Sequence, residues 1–159
     1  MKKFTFILFA LIAGTTFAQT ATANAAADIV SPLSLTAKQD LNFGKVSNNT
    51  AGSVIIATDG TASGLSQIGT TAPAAATFDV TAANNYNYTV ALPASATLSN
   101  GTVDITVDTF KHNAYAEGAS NATGSGTAQT FGVGATLNVA ASQATGNYTG
   151  QFDVTVAYE

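Results

Sequence analysis

The last fourteen residues alternate without a break. From Gly146 to Glu159 the chain reads GNYTGQFDVTVAYE. Tyr148, Gly150, Phe152, Val154, Val156 and Tyr158 share one parity; Thr149, Gln151, Asp153, Thr155, Ala157 and Glu159 share the other. Side chains on a strand alternate between faces with period 2, so the pattern predicts one long strand with an apolar face and a polar face. Such a strand either closes a finished sandwich or borders a groove that another chain fills.

The same parity recurs upstream. Asp28 to Thr36 places Ile29, Leu33 and Leu35 on one face. Pro32 lacks an amide hydrogen and puts that strand at a sheet edge or breaks it. In Asp40 to Gly44, Leu41 and Phe43 point inward and Gly44 bends the chain. Ser53 to Thr58 is a short apolar strand. Thr130 to Ala140 sets Phe131, Val133, Ala135, Leu137 and Val139 inward, with Gly132, Gly134, Thr136 and Asn138 outward. Asn100-Gly101 predicts a two-residue hairpin that pairs Leu98 with Val103 and Ala96 with Ile105. Parity in Thr77–Ala82 and Tyr86–Leu92 predicts a second hairpin, with Val80 opposite Tyr88 and Phe78 opposite Val90. Its turn has an odd count and an Asn in the left-handed position. Ser47–Gly52, Asp59–Pro73 and Phe110–Thr127 are polar and rich in turn residues. No window of helix length shows a period of 3.6. The expected fold is all-β: an immunoglobulin-like antiparallel β-sandwich of seven to nine strands.

The N-terminus has the form of a secretory signal, with Lys2 and Lys3 before an apolar run from Phe4 to Ala13 that is too short to span a bilayer. Thr16-Phe17-Ala18 fits a small-x-small cleavage rule, with Ala23-Asn24-Ala25 as the second choice. The expected organisation is a signal peptide over 1–18, a flexible arm over 19–27 and one β-sandwich domain over 28–159. Removing 18 of 159 residues leaves 141, enough for a core without staples. Cysteine is absent, which excludes disulfides and thiol chemistry. All five basic residues are lysine. With Lys2 and Lys3 removed, three lysines face nine acidic residues, for a net charge of −6. An acidic chain without guanidinium groups is poorly suited to nucleic acid or an anionic membrane. No transmembrane span is expected in the mature chain.

Little in the sequence suggests chemistry. His112 is the single histidine, and it reads as an exposed loop residue. Asp108 lies four residues before it, but no nucleophile elbow is present. The aspartates are scattered over outward strand positions, with Asp104 and Asp108 as the nearest pair on one face. None has the spacing of a calcium loop. Gly132-x-Gly134 sits inside a strand and is no phosphate loop. Tyr88, Tyr148 and Tyr158 fall on inward faces, which leaves Tyr86 and Tyr115 as exposed aromatics able to stack on a sugar. No catalytic residue, metal ligand or cofactor is expected, and the chain does not read as an enzyme.

Several stretches together carry a family likeness. They are Asp40-Leu41-Asn42-Phe43-Gly44, Thr77-Phe78-Asp79-Val80-Thr81, Tyr88-Thr89-Val90-Ala91-Leu92-Pro93, and Gly134 to Val139 running on through Gln143 to the alternating end. They resemble the bacterial secreted family known as domain of unknown function 4402, which implies fold and export rather than an activity. More distantly, the chain is similar to chaperone–usher pilins and spore-coat-U-like subunits. Those end in an alternating strand with a penultimate aromatic, here Tyr158, and a glycine fourteenth from the end, here Gly146. That likeness implies a non-catalytic subunit of a cell-surface appendage or extracellular matrix, exported through the periplasm and assembled by strand complementation. Partners would be copies of itself or related subunits, with a periplasmic chaperone and an usher. Gly146, Tyr148, Phe152, Val154, Val156 and Tyr158 would form the accepting strand. Ala21, Ala23, Ala25, Ala27 and Ile29 would form the donor face. The alternative is a monomeric secreted sandwich that binds a glycan or another surface protein through Asp59–Pro73 and Phe110–Thr127.

Overall fold

The computed structural model describes residues 19–159; the signal peptide expected over 1–18 lies outside them. Ten strands follow in order: β1 (Ser34–Gln39), β2 (Gly52–Ile56), β3 (Ala62–Gly64), β4 (Ala76–Thr81), β5 (Asn87–Ala91), β6 (Ser95–Ser99), β7 (Asp104–His112), β8 (Ala122–Thr123), β9 (Ala128–Val139) and β10 (Thr155–Tyr158). All pairings are antiparallel, in one sheet of seven strands and one of three, so the fold is an all-β sandwich. The count passes the expected nine because β3 and β8, only three and two residues long, sit inside stretches that read as loop.

The twelve residues of β9 form the spine. Its first half pairs with β4, its second half with β2, and its middle with β7. Phe131, Val133, Ala135, Leu137 and Val139 are buried as their parity predicts. Gly132 and Gly134 are buried too, against expectation. The chain leaving β2 crosses directly over them. A Cβ on Gly132 would lie 2.0 Å from the Thr58 carbonyl oxygen, and one on Gly134 would lie 2.1 Å from that of Ile56. Glycine is needed there for close approach of backbone to backbone.

Four expectations are corrected. First, the opening strand starts at Ser34, after Pro32, not at Asp28. Ile29 is 93% exposed, while Leu33 and Leu35 are half-buried. Second, the Asn100-Gly101 hairpin pairs Leu98 with Ile105 and Ala96 with Val107. Asn100 Oδ1 accepts from the amides of Thr102 and Val103 at 2.9 and 2.8 Å, which widens the turn by two residues. The shift preserves both faces and leaves Val103 exposed. Third, β4 and β5 do not form a hairpin. They lie in different sheets, and Asn85, at φ 65°, turns the chain between them. Val80, Tyr88 and Val90 still share one core, packing face to face across the sandwich instead of side by side. Fourth, the C-terminal strand is regular only over β10. Before it, the sole ladder contact is a bridge between Thr149 and Ser99.

Two cores result. One gathers Val80, Tyr88, Val90, Phe131 and Val133 and is roofed by the three-stranded sheet β10-β5-β8. The other gathers Phe43, Val54, Ile56, Ile105, Val107, Leu137 and Val139. Above the second core the described residues form no sheet, only two single segments, 40–48 and 143–154.

Candidate functional site

Those two segments are the walls of a groove of about 1140 Å³. Its floor is Leu98, Ile105, Val107, Leu137 and Val139, contributed by β6, β7 and β9. Five of the nine buried members of the second core line it, including Phe43. Leu137 and Phe43 keep 8% exposure, whereas Val54, which packs away from the groove, has none. The opening exceeds the ~300–1,000 Å³ of ordinary small-molecule pockets, and its length follows a run of extended chain.

Each wall is held from its outer side. Along the first, Asn42 and Ala74 exchange backbone bonds at 2.9 and 2.8 Å, and Lys45 accepts from Ile68 at 2.7 Å. Gly44, at φ 75°, completes a turn in which its amide donates to Asn42 Oδ1 at 2.8 Å. Along the second, Ser99 and Thr149 exchange bonds at 2.8 and 3.0 Å. Gly150 then presses onto β6: a Cβ there would lie 2.2 Å from the Thr97 carbonyl oxygen. At one end the walls are stapled together. Ser142 donates to the Asn48 carbonyl at 2.8 Å, and Asn48 Nδ2 donates to that of Gln143 at 2.7 Å. Between residues 40–47 and 144–154 no backbone hydrogen bond forms, and 150–154 bond to no described backbone at all.

The reason is a mismatch in length. From the Tyr158–Tyr88 pair back to the Thr149–Ser99 bridge the C-terminal segment spends nine residues and its partner eleven. The partner bends at Leu92-Pro93-Ala94, where it leaves the small sheet for the large one, and its ladder with the C-terminal segment is interrupted there.

The residues expected to act in assembly divide accordingly. Gly146, Tyr148 and Phe152 line the groove. Val154, Val156 and Tyr158 do not; they pack against the first core beside Tyr88 and Val90. Phe152 stands at the junction, with its ring 4.9 Å from Phe110 and 6.4 Å from Phe78. The Tyr148 hydroxyl donates to the Ala144 carbonyl at 2.7 Å and fixes the start of the wall. Ala21, Ala23, Ala25, Ala27 and Ile29 all lie on an exposed arm, and every residue from Gln19 to Pro32 is exposed. The first wall, with Leu41 and Phe43, is not legible in the sequence as part of a site; only the inward parity of those two residues marks it.

The groove carries little charge. Among the described residues, Asp40, Lys45 and Asp153 are its only ionisable lining residues apart from Tyr148. His112 lies elsewhere and is not the exposed loop residue its surroundings suggested. It ends β7 half-buried, 4.6 Å from the Tyr115 ring, and burial holds its pKa below the ordinary histidine value. Its Nδ1 accepts from the Ala114 amide at 3.3 Å. Asp108 bonds to Thr109 and Asn138 instead, at 2.9 and 2.8 Å, so the two do not form a catalytic pair. No three His, Asp or Glu converge as a metal site among the described residues. Tyr86 and Tyr115, read as exposed stackers, are half-buried and engaged, Tyr86 against Tyr158 at 6.0 Å and Tyr115 against His112. Tyr86 donates to Asp28, and that carboxylate raises the pKa of the hydroxyl above its usual range.

No curated protein and no solved structure matches the chain. A family does: both sheets, both cores and both groove walls fall within the matched residues 33–158, and the chain belongs to the family described as Domain of unknown function (DUF4402).

Proposed function

We propose that this protein is an exported, non-catalytic structural subunit of a cell-surface appendage or matrix, assembled when its groove accepts an extended arm from another copy. One observation carries the reading. Half of the sandwich has a roof sheet and half has a groove, floored by core residues and bordered by unbonded backbone at 150–154. An inserted strand would supply main-chain partners for the wall and would add apolar contact over a floor whose core residues already keep 8% exposure or less. The exposed arm over 19–27 is a segment of suitable length, about 30 Å when extended. A periplasmic chaperone would cover the same floor before assembly, with an usher directing export. The rival reading, a monomer that binds glycan through its loops, loses its two stacking residues to contacts inside the fold.

The test compares residues 19–159 with a form that starts at Asp28. The longer protein should give ladders on unheated gels and filaments in negative stain, and the shorter one soluble monomers by light scattering. Equal polymerisation of both forms refutes the donor role of the arm.

A further inference from the structure

The root of the arm is tied down, although the arm itself is free. Tyr158, in β10, donates its hydroxyl proton to the Ser31 carbonyl at 3.1 Å and accepts from the Ala83 amide at 2.6 Å. Tyr86 donates to Asp28 Oδ2. The two rings meet edge to face with centroids 6.0 Å apart. Beneath them the turn is rigidly built: Asn85 donates to the Gly124 carbonyl at 2.9 Å, and Gly124 donates to that of Tyr86 at 2.8 Å. Two points on the root, Asp28 and Ser31, are thus held against the end of the small sheet.

That end is the far one from the groove's stapled end. Tyr158 and Gly146 are twelve residues apart on one segment, roughly 40 Å if extended throughout. An arm leaving at Asp28 would have to reverse direction at its root to enter the groove of its own domain. With both hydroxyl contacts held, that reversal would have to fall within residues 19–27 and would use up part of the length able to line the groove. With both intact, nine residues (19–27) remain free, close to the eight of the wall from Gly146 to Asp153.

We propose that Tyr86 and Tyr158 clasp Asp28 and Ser31 so that the arm is presented to a second copy and is kept from its own groove, which makes assembly head-to-tail. The inference rests on the strand-accepting reading of the groove. The clasp limits the donor to residues before Asp28 and removes Ile29 from the donor face, leaving Ala21, Ala23, Ala25 and Ala27.

The absence of native cysteine makes a crosslinking test clean. Ala23→Cys in the arm and Gln151→Cys on the groove wall are introduced together, in the mature chain and in the same chain carrying Tyr86→Phe and Tyr158→Phe. Both phenylalanine changes keep the rings and delete the hydroxyls. With the clasp intact, oxidation should give a ladder of linked copies. Without it, linked monomers of increased gel mobility should rise at least tenfold at low protein concentration. Thermal unfolding of the reduced proteins checks that both are folded. Identical products from both chains overturn the clasp while leaving the groove reading standing. Absence of any disulfide in either folded chain overturns the groove reading, and the clasp with it.

Discussion

Arm residues of one parity should control affinity for the groove, and those of the other should not. If Ala21, Ala23, Ala25 and Ala27 face the floor, then Ala23→Leu adds three carbons to a surface made of Leu98, Ile105, Val107, Leu137 and Val139. At about 0.8 kcal/mol per buried methylene, full burial gains about 2.4 kcal/mol. Ordering the leucine side chain costs ~0.5–1 kcal/mol of that. The net gain of about 1.5 kcal/mol corresponds to roughly tenfold in Kd. Asn24→Leu adds similar apolar bulk on the opposite parity, where the side chain points to solvent, and should change affinity less than twofold. The assay is calorimetric titration of synthetic 19–27 peptides into the domain that starts at Asp28. Equal gains from Ala23→Leu and Asn24→Leu would show non-specific apolar binding and refute an in-register strand. No gain from either would show that the arm does not enter the groove.

Other outcomes follow from the packing. Gly150→Ala should cost about 1–3 kcal/mol by overpacking against Thr97 and Leu98, and faster amide exchange at Ser99 and Thr149 would report the lifted wall. Ile56→Ala, at a site 2% exposed and away from the groove, should cost about 3 kcal/mol in denaturant unfolding; Val103→Ala, at the exposed hairpin end, should cost less than about 0.5 kcal/mol. His112 should titrate below 6.5 in the folded protein, because burial favours the neutral ring. A depressed folded pKa means the unfolded chain binds the extra proton first. Its contribution is therefore complete above the unfolded value and is lost as pH falls through the folded one. The signal of this single histidine in an NMR titration reads the pKa directly, and a value above 6.5 contradicts the packing on Tyr115. Asp79, held below its usual range by the Thr130 hydroxyl and then by Lys38, contributes in the same sense at lower pH; Thr130→Val should raise its pKa.

Parity was legible in the sequence, and partners were not. Val80, Tyr88 and Val90 were correctly placed on inward faces, yet a shared face is equally compatible with neighbours in one sheet and with opposed strands in two. Nothing local distinguishes the two, because the core between sheets rewards the same alternation. The Asn100 hairpin failed for a related reason: a slip of two residues keeps every side chain on its own face, so only the asparagine's side-chain bonds choose the longer turn. Gly132 and Gly134 read as outward and open because the strand crossing them, Ile56–Thr58, is far away in sequence. The groove was legible only as a parity pattern along the last strand. That its middle lacks a ladder partner depends on the bend at Pro93, which sets how far β5 and β6 can follow the C-terminal segment.

The C-terminal segment also has a mechanical meaning. In the proposed filament, one end of this segment, at Tyr148 and Phe152, grips the incoming arm, and the other, at Tyr158, holds the root of the outgoing one. Tension would then be shared between β1, to which the arm's root is covalently joined, and this single extended chain, the tie rod of the assembly. Pulled along its length, the four residue pairs of β10 with β5 are loaded in shear, so they share the force together instead of opening one by one. Such a joint bears most load in the direction in which a surface fibre is pulled.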